Sequence, residues 1–133
     1  MAHDEVDSPW PREAIPDEAK LYMRVPRAHI DPLTAQPIPG AFHDIEGGMS
    51  VDWERYSTAV DTLRRARRTD WQGAVLSLVA GNVRSHPTLK VEHTPMRENQ
   101  AHSDVLGKKD PEARLHLRRI YCWEIPYFIV PVS

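Results

Sequence analysis

The sequence predicts an α+β fold: a small, mostly antiparallel sheet of four to six strands packed on one face by two helices. Three observations carry this expectation. Residues 73–79 form the most apolar run of the chain and begin at a glycine, with another glycine just beyond, so their length suits a buried strand better than a helix. Residues 21–25 and 89–92 alternate apolar and polar side chains, as a strand with one buried face requires. Asp110, Pro111 and Glu112 supply an N-cap, a proline at the first helical position and a carboxylate in the first turn.

In chain order, residues 1–19 are acidic, proline-marked and poor in apolar area apart from Trp10 and Ile15, so they read as a flexible arm ahead of one domain spanning 20–133. The first strand, 21–25, ends at Pro26, and prolines 32, 37 and 39 make the following stretch a surface loop. Ala41, Phe42 and His43 read as a short strand turning at Gly47-Gly48 into another at 49–51, with Phe42 and Val51 entering the core. Thr58 and Asp61 form a capping box with Asp in the place of Glu, so a helix starts there. Its apolar face is Ala59, Leu63 and Ala66, and Arg64, Arg65, Arg67 and Arg68 crowd its last turn, where the helix dipole favours cations.

The 73–79 run is read as the middle of the sheet, followed by a short helix over 80–86 and, after Pro87, by the strand at 89–92. Pro95 breaks that strand into a loop that returns at Val105 and Leu106. The helix from Asp110 buries Ala113, Leu117, Ile120 and Tyr121 and turns Arg114, Arg118 and Arg119 outward. Cys122 and Trp123 close the helix, and residues 125–132, with Pro126 and Pro131, form an edge strand.

Composition bounds the function. The chain has 133 residues, 41% hydrophobic and 27% charged, enough for one core without disulfides or metal. Its single cysteine, Cys122, permits no internal disulfide or Cys-based zinc site and suits a reducing cytoplasm. A net charge of -2 gives no global pull toward nucleic acid. No apolar run approaches the roughly 20 residues that span a bilayer, and the acidic N-terminus is unlike a secretory leader, so no membrane association is expected.

Two functional classes follow. Absent motifs favour the first, a cytoplasmic interaction or adaptor protein that meets a protein partner or its own copy through an apolar edge at Phe128 and Ile129 or through the arginine patch. The second is a metal-independent hydrolase or nuclease on the 93–102 loop. There His93 and His102 would share one cleft as general acid and base, Asn99 would orient substrate, and Arg24 or Arg84 would meet phosphate charge. The His-Glu-x-x-His pattern, the P-loop, the dinucleotide fingerprint and the serine-hydrolase elbow are all absent, so neither metal nor cofactor is expected.

Overall fold

A computed structural model describes residues 8–45, 47–66 and 71–126. Among these, six strands form one antiparallel sheet: β1 (Lys20–Pro26), β2 (Met49–Trp53), β3 (Gly73–Val79), β4 (Lys90–His93), β5 (His102–Leu106) and β6 (Cys122–Ile125), in the order β4-β5-β2-β1-β3-β6. Three helices accompany it, α1 (Ala59–Arg64), α2 (Ala80–Arg84) and α3 (Pro111–Ile120). The fold is α+β as expected, and none of its described helices is long and apolar enough to cross a membrane.

Register separates the two faces of the sheet. Leu21 pairs with Trp53 and Leu78, Met23 with Leu76, and Met49 with Val105, so these side chains share one face. They join Val25, Val51, Ala74 and Val91 in the main core. The opposite face carries Tyr22, Arg24, Ser50, Asp52, Val75, Ser77, His102 and Asp104.

The expectation that both helices share a face is corrected by this register. α3 buries Ala113 and Leu117 in the main core. α1 instead lies over the polar face, where the Thr62 hydroxyl donates to Asp52 at 2.8 Å and the Arg24 guanidinium donates to the Thr62 carbonyl at 2.7 Å. The capping box at Thr58 and Asp61 forms. The residue that α1 buries is Thr62, while Ala59, Leu63 and Ala66 are half-buried, because this face offers a carboxylate rather than an apolar floor.

Other boundaries shift for local reasons. Residues 41–43 are not a strand: Pro39–Ala41 is a 3-10 turn, though Phe42 is fully buried. Gly47, at φ +103°, makes the tight turn bridged by Ile45 and Gly48 that delivers β2. β3 lies one strand in from the edge, because β6 pairs along its outer side. Cys122 and Trp123 belong to β6, not to the end of α3, and Cys122 is exposed.

The arm proposed for residues 1–19 is also corrected over its described part. Ile15 and Ala19 are 4% exposed and belong to the core. Asp17 accepts from Arg84 at 2.8 Å, and its carbonyl accepts the Gly81 amide at 2.7 Å, fastening the segment to α2. The apolar content of 8–19 is small, but its backbone polar groups find partners along the domain, which offsets the cost of ordering it.

Candidate functional site

His93 and His102 begin from one short connection and end on opposite faces. β4 extends through His93, which pairs with Ser103, so His93 points into the core side and the neighbouring His102 points away from it. The two imidazoles therefore do not border one cleft, which corrects the expectation of an acid/base pair.

His93 is 2% exposed. Its ring is stacked on Tyr56 at a centroid distance of 6.0 Å and lies edge-on to Trp53 at 5.1 Å. The Glu13 amide donates to Nδ1 at 3.0 Å, so Nδ1 carries a lone pair and Nε2 carries the proton that it donates to the Gln100 carbonyl at 2.7 Å. Both nitrogens are committed. Glu13 closes the cluster by accepting from the Tyr56 hydroxyl and pairing with Arg55 at 3.8 Å. His93 thus fastens the N-terminal segment to the sheet.

Asn99 is likewise structural. Its amide nitrogen donates to Asp52 Oδ1 at 2.8 Å and its oxygen accepts the Ala101 amide at 3.1 Å. Asp52, 5% exposed, also accepts from Thr62 and from Arg65, each at 2.8 Å. A buried carboxylate needs such donors, and here they draw α1, β2 and the 94–101 loop together. The sequence signal for this network is Asp52 itself, a carboxylate between Val51 and Trp53 in an otherwise buried strand.

His102 occupies a different environment. Its Nδ1 lies 3.0 Å from the Thr94 carbonyl, an atom that only accepts, so Nδ1 bears the proton. The same Nδ1 lies 3.0 Å from the Thr94 hydroxyl, whose own proton goes to Asp104 Oδ2 at 2.9 Å. Nε2 therefore presents its lone pair, 3.4 Å from the Ser50 hydroxyl. His102, Asp104, Thr94 and Pro95 form one side of a cleft of about 330 Å³, and Ser8, Trp10 and Arg12 form the other. The sequence marks His102 but not its cleft, since the composition of residues 8–12 predicts a free arm.

No protein-family model matches the chain, and comparison with curated proteins and with solved structures finds no match.

The remaining candidates disperse. Arg24 is bonded to the Thr62 carbonyl and Arg84 to Asp17, and neither lines the cleft. Arg65 is drawn into the Asp52 network and Arg64 is exposed at the end of α1. Arg67, Arg68, Phe128 and Ile129 lie outside the described residues. No group of three or more His, Cys, Asp or Glu side chains that could hold a metal ion occurs among the described residues.

A second surface stands out where the sequence showed only a proline-rich loop. Leu33 is 94% exposed at the tip of residues 31–36. The loop is braced from within: the Asp31 amide donates to the Gln36 carbonyl and the Ala35 amide to the Asp31 carbonyl, both at 2.8 Å, and the Leu33 amide donates to the Asp31 carboxylate at 2.8 Å. Ala35 sits at φ 57°, a left-handed conformation that disfavours a side chain. The loop is braced from outside by Trp123 Nε1, donating to the Ala35 carbonyl at 3.0 Å, and by Arg118, donating to the Pro37 carbonyl at 3.0 Å and to Gln36 Oε1 at 2.9 Å.

Proposed function

We propose that this chain is an interaction protein of the cytoplasm, and that the 31–36 loop presents Leu33 as an apolar anchor to a partner protein. The observation that carries this reading is the bracing of the loop. Single exposed leucines are ordinary on protein surfaces. This one sits on a backbone held by its own turn and by side chains from α3 and β6, with Ala35 kept left-handed. A pre-ordered loop loses little conformational freedom on binding, so the burial of Leu33 in a partner's pocket is not spent on ordering it. An adaptor also suits the separation of the two histidines, because it requires no convergent acid/base pair.

Among the surfaces expected from sequence, Arg65 is engaged within the domain, which leaves Arg64 as the exposed described member of the basic patch. Affinity purification from native cells tests the reading, with the wild-type chain compared against Leu33→Asp. The expected result is a specific protein retained by the wild type and lost with the folded variant. Recovery of the same proteins by both chains contradicts it.

A further inference from the structure

We propose that the cleft between His102 and Trp10 is a binding site for a small zwitterion, a free amino acid with an apolar side chain, separate from the Leu33 surface. Its volume of about 330 Å³ lies at the small end for ligand pockets. The two walls differ in what they offer a ligand: the sheet side presents acceptors and the N-terminal side presents donors.

On the sheet side, every proton of the lining residues is already given to the protein. The Thr94 hydroxyl donates to Asp104 Oδ2 at 2.9 Å, and the Thr94 amide donates to the His102 carbonyl at 3.0 Å. His102 Nδ1–H is held by the Thr94 carbonyl at 3.0 Å, and Pro95 has no amide. The Asp104 backbone is paired on both sides, opposite Ser50 in β2 and Glu92 in β4. What remains open is the Asp104 carboxylate, which is half-buried and whose Oδ1 accepts from no donor among the described residues. Such a carboxylate favours a ligand ammonium group, which brings both charge and protons.

The facing wall has the opposite character. Ser8 Oγ accepts the Trp10 amide at 3.3 Å, which leaves the hydroxyl proton to give. Arg12 adds a guanidinium, whose forked donors match a carboxylate. Trp10, 40% exposed, and Pro95 supply apolar surface on either side for a side chain to cover. A ligand with an ammonium alone faces the Arg12 cation, and one with a carboxylate alone faces Asp104. A ligand carrying both charges satisfies both walls, so the cleft selects by repulsion as well as by attraction.

The test is a titration of the full-length, nitrogen-labelled protein with L-phenylalanine, followed by proton–nitrogen NMR. Its C-terminal amide, a cation, and its N-acetyl derivative, an anion, are titrated alongside. Saturable shifts are expected for the Trp10 indole and for the Thr94 and His102 amides, with both capped forms bound about tenfold or more weakly, as loss of one charge-assisted hydrogen bond implies. Asp104→Asn is expected to weaken phenylalanine about tenfold and to spare the N-acetyl form. Arg12→Gln is expected to weaken phenylalanine and to spare the amide, a crossed pattern that a loss of packing does not produce. Circular dichroism checks each variant, and if either is unfolded the capped ligands on the wild type decide. No saturable shift with phenylalanine, capped forms that bind as tightly as phenylalanine, or an unchanged affinity in folded Asp104→Asn or Arg12→Gln overturns the proposal.

Discussion

At the scale of single residues, the partner atoms of each imidazole decide what it can do. His93 meets an amide donor on Nδ1 and a carbonyl on Nε2, so it is neutral, fully bonded and shielded by Trp53 and Tyr56. Replacing it with alanine leaves the Glu13 amide and the Gln100 carbonyl without their partner. The expected loss is about 1–3 kcal/mol of stability, the usual cost of orphaned buried polar groups, measured by denaturant unfolding. An unchanged midpoint contradicts the assigned role.

The Tyr56 hydroxyl beside it is raised above its ordinary value, first by its hydrogen bond to Glu13 and then by burial, against a lowering by Arg55. A phenol raised in the folded state contributes stability that is complete below its unfolded value of about 10 and is lost as pH climbs through the folded value. Tyr22 and Tyr121 are raised by burial and lose stability in the same alkaline window. Thermal melts across that window are expected to show a shallower alkaline decline in Tyr56→Phe than in the wild type. Equal declines contradict the Glu13 bond.

At the scale of elements, the helix starts were legible because caps are local chemistry. Thr58 with Asp61 and Asp110 with Pro111 need only their neighbours. Which face each helix covers depends on strands distant in sequence, and this is why Thr62, outside the expected face of Ala59, Leu63 and Ala66, is the buried residue of α1. The α3 phase was read correctly for Ala113 and Leu117. Leu117→Ala is expected to cost about 2–5 kcal/mol as a core truncation. Arg118→Ala is expected to cost about 0.5–1.5 kcal/mol per lost hydrogen bond to the 31–36 loop and its flank. Comparable denaturant midpoints for the two variants contradict this ordering.

Composition misleads at the N-terminal segment because it counts apolar residues and not the partners waiting for backbone groups. Ile15 stands between Ala14 and Pro16 in a stretch rich in charge and proline, yet it is 4% exposed. Ile15→Ala is expected to cost about 2–5 kcal/mol, as other buried isoleucines do. A midpoint equal to that of the wild type would return the segment to the status of an arm.

At the scale of the whole molecule, one sheet separates an apolar face covered by α3 from a polar face that carries α1, the Asp52 network and the His102 cleft. The fold class was legible because alternation and caps repeat along the chain, and local conflicts were few. The candidate site was legible only as a region. Residues 93 and 102 stand on either side of a hairpin loop, and a register change of one residue moves a side chain to the other face, so no local pattern could assign them. His93↔Ser103 pairing settles it.

The most direct test of this division is a long-range proton–nitrogen NMR spectrum of the histidine side chains at mildly alkaline pH, assigned by His93→Gln and His102→Gln. The expected spectrum shows opposite tautomers, His93 protonated on Nε2 and His102 protonated on Nδ1. The same tautomer at both positions, or rapid averaging at His93, contradicts the account.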